Sequence, residues 1–232
     1  MSMIAIRDGM NGYIVQPTNP NGAAIVVIQE IFGINAVMRD VAGDLAKQGY
    51  VALAPDLFWR LEPGVDISDQ TDAEWKKALD LMSRFDVAKG VEDIKATIDL
   101  LRTMPGIKKV GAVGYCLGGL LAYLTAARTN VGISTKVDAS VGYYGVNIQN
   151  HLAEAPWIDK PLLLHMATED GFVPKPAQEQ IITALGEIPT VTVHRYDGVD
   201  HAFVRPGGKH YDKAAADLAN QRTAAFFHRH LT

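Results

Sequence analysis

Two patterns of apolar and polar positions alternate along this chain. Short runs of consecutive apolar residues, such as 23–29 and 109–115, predict strands that are buried on both faces. Segments with apolar residues at helical spacing lie between them, as in 36–50, where Asn35 is placed to cap the first turn. The alternation predicts an α/β fold with a mainly parallel sheet and helices on both faces.

The same two patterns predict the elements of the whole chain. Strands are predicted at 23–29, 50–58, 109–115, 139–145, 160–170 and 190–198. Helices are predicted at 36–50, 71–86, 87–104, 117–128, 176–186 and 212–231. We find no repeat, low-complexity tract or linker between domains, so a single domain over 1–232 is expected.

Composition and charge narrow the classes of protein. The 232 residues are 48% hydrophobic and 21% charged, with a formal net charge of −4 and one cysteine. A single cysteine cannot form an intrachain disulfide, and no stretch reads as a signal peptide or a membrane span, so we expect a cytoplasmic protein. Without a basic block, nucleic acid and membranes are poor partners. A small-molecule ligand and a monomer or small homo-oligomer are expected.

Reactive side chains follow the predicted strands. Ligands of parallel sheets bind beyond the carboxyl ends of the strands, so these positions are the first place to look for a site. The residues there are Glu30, 55–60, Cys116, Tyr143, Tyr144, Glu169, Asp170, Asp200 and His201.

Cys116 lies in a motif that favours a nucleophile. The stretch from Gly114 to Gly118 has the form G-x-C-x-G between a predicted strand and a predicted helix, which matches a nucleophile elbow with cysteine in place of serine. The glycines would relieve crowding around the turn. The helix N-terminus would favour a thiolate, and the Leu117 N–H would face a developing oxyanion. The alternative is a small, buried and inert cysteine.

An acid and a histidine follow Cys116 in the order that such hydrolases use. Asp170 comes after the strand at 160–170 and His201 after the strand at 190–198, giving the order nucleophile, acid, histidine. Taken singly, Asp170 is also typical of a turn and His201 of a surface loop. His165 lies inside an apolar strand and is expected to be a core residue. No histidine spacing is typical of a metal site, so we expect neither a metal nor an organic cofactor.

These residues and their surroundings resemble the dienelactone hydrolases, or carboxymethylenebutenolidases, over nearly the whole chain. The motifs that carry the resemblance occur in the family's order: QEIFGIN, APDLF, GYCLGG, VGYYGV, EDGFVP and DHAFVRP. The resemblance implies an α/β-hydrolase fold and hydrolysis of a lactone ring through a Cys-His-Asp triad. Cys116 would be the nucleophile, His201 the general base and then acid, and Asp170 the residue that orients His201.

The resemblance also implies roles around the triad. Glu30 matches a glutamate that influences the protonation of the nucleophile, and the Ile31 N–H would be the second oxyanion donor; the alternative for Glu30 is a cap or a solvated loop carboxylate. Arg205 matches an arginine that binds the substrate carboxylate; the alternative is a solvated surface charge. The remaining matches are two tyrosines that would line the pocket, Tyr143 and Tyr144.

The sequence departs from the family at one position. The family's second substrate arginine would fall near Trp75, which is not an arginine. Lys76, Lys77 and Arg84 are the candidate replacements, and the alternative is that the second contact is absent. This departure bears on the substrate more than on the reaction. A lactone or activated ester, anionic if Arg205 binds it, is the expected substrate. A general carboxylesterase or thioesterase is the alternative, and a non-catalytic thiol sensor on the same fold is a third interpretation.

Overall fold

The computed structural model describes residues 2–128 and 137–232 of the chain. The chain divides into two compact units, Met1–Val110 and Gly111–Thr232. Each unit has strands and helices of its own. The single domain expected over 1–232 stays a prediction.

The strands of the first unit begin with a hairpin. β1 (Ser2–Arg7) pairs antiparallel with β2 (Met10–Val15). β2 pairs antiparallel with β4 (Val51–Pro55), which pairs in parallel with β3 (Ala23–Ile28). The order is therefore β1-β2-β4-β3. All six residues of β3 are buried, so both faces of this strand are covered, as its continuous apolar run predicts.

Three helices of the first unit begin at residues whose side chains cap them. Each cap accepts a hydrogen bond from the N–H three residues further on, which satisfies one of the free donors of the first turn. The helices are α1 (Ala36–Lys47), α2 (Asp72–Arg84) and α3 (Val87–Thr103), with caps Asn35, Thr71 and Asp86. The predicted helices and the Asn35 cap are thus confirmed, with ends shifted by at most three residues.

The second unit contains parallel strands in chain order. The strands are β5 (Lys109–Tyr115, which enters this unit at Gly111), β6 (Ala139–Tyr143), β7 (Leu162–Ala167) and β8 (Val191–Tyr196). The helices are α4 (Leu117–Arg128), a 3-10 helix (Ile148–Trp157), α5 (Lys175–Gly186) and α6 (Lys213–Leu231). All but one of the α4 residues are buried, which makes α4 a core helix. The predicted α/β class is confirmed.

The strand register brings the carboxyl ends of the second unit to one edge. Tyr115 pairs with Tyr143, Tyr143 with His165, and Ala167 with Tyr196. The segments that follow these strands therefore leave the sheet at the same edge, which is where parallel sheets place their ligands. Among the residues that the structure describes, no helix is both long enough and apolar enough to cross a bilayer.

Candidate active site

Cys116 lies in the tight connection between β5 and α4. Its φ of 55° is left-handed, a conformation that few residues other than glycine adopt. Its N–H donates to the Tyr143 carbonyl at 3.1 Å, and its own carbonyl accepts from the Gly119 N–H at 2.9 Å. The strand, the strained cysteine and the helix that follows at once have the geometry of a nucleophile elbow.

Two glycines of the elbow lie where no side chain fits. A Cβ on Gly114 would be 1.9 Å from the Gly118 carbonyl oxygen, and one on Gly119 would be 2.6 Å from the Tyr143 carbonyl oxygen. A larger residue at either glycine would meet neighbouring backbone rather than the cysteine side chain.

His201 and Asp170 form a buried pair. His201 Nδ1 is 2.9 Å from Asp170 Oδ2 and 3.1 Å from Oδ1, and each residue is only 5% exposed. Asp170 Oδ1 also accepts from the N–H groups of Phe172, at 2.8 Å, and Val173, at 3.2 Å. The carboxylate is thus held by its own loop. Its contact with Nδ1 leaves Nε2 as the imidazole nitrogen available for proton transfer.

The pKa of His201 connects this pair to Cys116. Burial by itself would lower the pKa, because it disfavours the charged imidazolium. The negative charge of a Cys116 thiolate and hydrogen bonds to Asp170 and Cys116 outweigh burial, and together they raise the pKa of His201 to about 10. Within the second unit, the structure therefore brings His201 into interaction with both Asp170 and Cys116.

We expect Cys116→Ala to lower the pKa of His201, because it removes the charge and the hydrogen bond of the thiolate. In the wild type, His201 stabilises the fold fully below its unfolded pKa of about 6.5 and loses this contribution as the pH rises towards 10. Imidazole NMR titration measures the shift, with His201→Gln to assign the signal. An unchanged pKa in Cys116→Ala would show that the thiolate does not act on His201.

Two aromatic rings flank the His201 imidazole. The Tyr144 ring is 4.8 Å away and buried, and the Phe172 ring is 4.7 Å away, both in edge-on arrangements. Phe172 is 57% exposed, so it presents an apolar face to solvent directly beside the histidine. Phe172 was not selected as a site residue from the sequence. Its position two residues after Asp170 is the one feature of the sequence that places it near the candidate site.

Backbone strain is concentrated beside the same residues. Tyr144 has a φ of 37° and Ala202 a φ of 63°. Cys116 directly follows β5, Tyr144 directly follows β6, and Ala202 directly follows His201. Such conformations cost about 1–3 kcal/mol each and persist where the surroundings hold them, most often at functional sites.

Tyr143 has a different environment from Tyr144. Its hydroxyl is 2.6 Å from Thr223 Oγ1 and donates to Asn220 Oδ1 at 3.0 Å, in a buried network against α6. His165 belongs to the same network, with Nε2 2.9 Å from Thr223 Oγ1 and Nδ1 2.8 Å from the Tyr196 hydroxyl. His165 is therefore the satisfied core histidine that was expected. The Tyr143 hydroxyl is occupied in this network, so its contact with substrate stays a prediction.

Arg205 is buried, with 7% exposure. This burial excludes the interpretation as a solvated surface charge. Its N–H donates to the Ala202 carbonyl at 2.9 Å and its carbonyl accepts from Gly208 at 3.1 Å, so a compact turn fixes it to the segment that follows His201. The guanidinium is thus a cation held out of water.

Glu30 and Ile31 belong to the first unit and follow β3. Glu30 is 1% exposed and Ile31 is 4% exposed, so the interpretation of Glu30 as a solvated loop carboxylate is wrong. The preceding residue, Gln29, accepts from the Leu57 N–H and donates to the Glu30 carbonyl, which fixes the backbone at this strand end. Their roles in the reaction stay predictions.

The Trp75 side chain is packed within the first unit. Its ring meets Phe32 edge-on at 5.2 Å, and its Nε1 donates to the Asp69 carbonyl at 3.0 Å. Two of the cations considered as replacements for the family arginine already have carboxylate partners. These pairs are Lys77 with Glu62, and Arg84 with Asp80.

The fold and the elbow define the class of this protein. A parallel sheet whose strand turns sharply at Cys116 into a buried helix, with a His–Asp pair after later strands, is the arrangement of an α/β-hydrolase. The model of the Dienelactone hydrolase family matches residues 10–231. The chain therefore belongs to the dienelactone hydrolase family.

Individual relatives agree with this membership. The chain is 41% identical to the carboxymethylenebutenolidase of Pseudomonas putida, over 90% of this chain and 87% of that protein. It is 45% identical to a candidate carboxymethylenebutenolidase of Azospirillum brasilense, over the full length of both. The crystal structure of a candidate dienelactone hydrolase from Klebsiella pneumoniae superposes with a TM-score of 0.81, at 26% identity over 95% of this chain and 93% of that chain.

Proposed function

We propose that this chain hydrolyses lactones or activated esters, with Cys116 as nucleophile, His201 as general base and acid, and Asp170 as the residue that orients His201. The observation that carries the proposal is the interaction of His201 with both Asp170 and Cys116. The names of the relatives support a lactone as substrate. A cytoplasmic location stays a prediction.

The proposed reaction has two halves. The Cys116 thiolate attacks the carbonyl carbon, and the Leu117 N–H stabilises the oxyanion, with the Ile31 N–H as the second donor that the resemblance implies. The tetrahedral intermediate collapses to an acyl-thioester as the ring C–O bond breaks, and the His201 imidazolium gives its proton to the leaving oxygen. Water then attacks the thioester while His201 takes its proton. The C–S bond breaks, the carboxylic acid leaves, and the thiolate–imidazolium pair is restored.

Four other residues enter the proposal around this chemistry. The buried Arg205 guanidinium would hold a substrate carboxylate, because removal from water strengthens such a contact. Tyr144 would form a wall of the pocket beside His201, whereas Tyr143 enters only through the resemblance. Glu30 is included on the resemblance as well, as the carboxylate that influences the protonation of Cys116.

The second candidate is a general carboxylesterase or thioesterase. The observation that favours it is the tryptophan at position 75, packed on Phe32 where the family has an arginine. A substrate held through one cation rather than two depends less on its charge. Comparing kcat/KM for an anionic dienelactone with that for neutral p-nitrophenyl acetate separates the two candidates, and Arg205→Gln should lower only the former.

The experiment that tests the proposal traps the acyl-thioester. Wild type and Cys116→Ala are mixed with p-nitrophenyl acetate, quenched in acid within milliseconds, and analysed by peptide mass spectrometry. We expect a burst of p-nitrophenol and an added acetyl group on the peptide that contains Cys116. Because Cys116 is the single cysteine of the chain, an acylated thiol can only be that of Cys116. Full turnover by folded Cys116→Ala, on either substrate, would refute the mechanism.

A further inference from the structure

Asp200, the residue before His201, makes hydrogen bonds to both loops that carry the His–Asp pair. Its Oδ1 accepts from the His201 N–H at 2.6 Å and from the Gly171 N–H at 2.9 Å. Gly171 directly follows Asp170, and it is 29 residues from Asp200 in the chain. One carboxylate oxygen therefore joins the loop of the acid to the loop of the histidine.

The other oxygen of Asp200 has a partner of its own. Oδ2 is 3.1 Å from His210 Nδ1, which lies on the surface. The carboxylate is thus held from both sides, and this reduces the freedom of Oδ1 to leave its two backbone donors. Although burial would raise it, the pKa of Asp200 is lowered, because the hydrogen bonds from Gly171 and His201 and the positive charges of His210 and His201 favour the ionised form.

We propose that Asp200 is a positioning residue, which fixes the distance between Asp170 and the His201 imidazole by joining their two loops. This inference rests on the proposed function. Asp200 acts through the backbone on either side of the pair, because its Oδ1 accepts from the N–H groups of Gly171 and His201. The Nδ1 to Oδ2 distance of 2.9 Å requires both loops to be fixed, because neither loop belongs to a helix or strand at this point.

The test compares Asp200→Ala with Asp200→Asn. The alanine variant loses the oxygen that accepts both hydrogen bonds, so this link between the two loops is lost, and displacements of about 1 Å at a catalytic pair cost on the order of 100-fold in rate. We expect kcat to fall by about 10- to 100-fold with KM within about twofold, since binding groups stay in place. The asparagine Oδ1 still accepts from both N–H groups, so Asp200→Asn should recover kcat to within about fivefold of the wild type.

A readout beyond activity separates positioning from a general effect on the fold. The pKa of His201, measured by imidazole NMR, should fall in Asp200→Ala because the hydrogen bond to Asp170 is weakened. Asp197→Asn is the matched control: it removes the same charge from the same loop at an exposed side chain, and it should leave kcat and the pKa of His201 unchanged. Wild-type kcat and pKa in folded Asp200→Ala would overturn the proposal.

Two further measurements keep the result unambiguous. The first is hydrogen exchange in the wild type. Gly171 is exposed, yet its amide should exchange with solvent at least about tenfold more slowly than a free glycine amide, because it donates to Asp200. An unprotected Gly171 amide would overturn the proposal even if Asp200→Ala does not fold. His201→Gln is assayed in parallel. If it keeps full turnover, the proposed function fails and this inference with it. If it is inactive while Asp200→Ala is fully active, only the role of Asp200 fails.

Discussion

Gly114→Ala is expected to prevent folding or to lower the free energy of unfolding by at least about 3 kcal/mol, the upper range for overpacking. The added Cβ would lie 1.9 Å from the Gly118 carbonyl oxygen and 2.3 Å from its carbon. Both atoms belong to the first turn of α4, where almost every residue is buried, so the helix cannot move aside without opening the core. Urea denaturation, together with the yield of soluble protein, measures the effect.

Gly43→Ala is the matched control for this prediction. Gly43 lies inside α1, where a Cβ would meet nothing within 4 Å. Removing a glycine from a helix interior should therefore stabilise the protein by about 0.5–1 kcal/mol. A Gly114→Ala protein with the denaturation midpoint of the wild type would mean that the elbow is not as tightly closed as the distances indicate.

The elements found from the sequence are those with strong local signals. The apolar run of β3 is buried at every residue, and the Asn35 cap accepts from the third N–H of its helix, so local pattern and tertiary structure agree. β1 was missed because four of its six residues are exposed and its stability comes from pairing with β2. The 3-10 helix was missed because it contains Pro156 and lacks a side-chain cap.

The candidate site was predictable as a set of residues but not as a geometry. Chain order and the glycine spacing identified Cys116, Asp170 and His201, because an elbow and strand ends have signatures along the sequence. The hydrogen bond from the Gly171 N–H to Asp200 Oδ1 and the ring of Phe172 against His201 join segments about 30 residues apart. Such contacts are decided by how two loops pack, for which a single sequence contains no period or motif.

Asp170→Asn is expected to lower kcat by about three to four orders of magnitude while the protein stays folded, the size of effect known when a triad aspartate becomes an amide. The N–H groups of Phe172 and Val173 both donate to Asp170 Oδ1, so the amide oxygen of asparagine takes that position. Its NH₂ group then faces His201 Nδ1, which must become an acceptor. The imidazole proton moves to Nε2, where it blocks the nitrogen that should accept a proton.

The same substitution removes a negative charge from the imidazolium. Asp170 raises the pKa of His201 through a hydrogen bond and through its charge, so the pKa in Asp170→Asn should fall below about 10 and the thiolate–imidazolium pair should be less populated at neutral pH. Steady-state kinetics at pH 7.5 and imidazole NMR measure the two effects. Glu169→Gln is the matched control, because it changes the neighbouring exposed carboxylate to an amide in the same way. Its kcat should stay within about twofold of the wild-type value, since the Glu169 side chain pairs with Lys175 at the surface. An Asp170→Asn enzyme within tenfold of the wild-type kcat would show that another group orients His201.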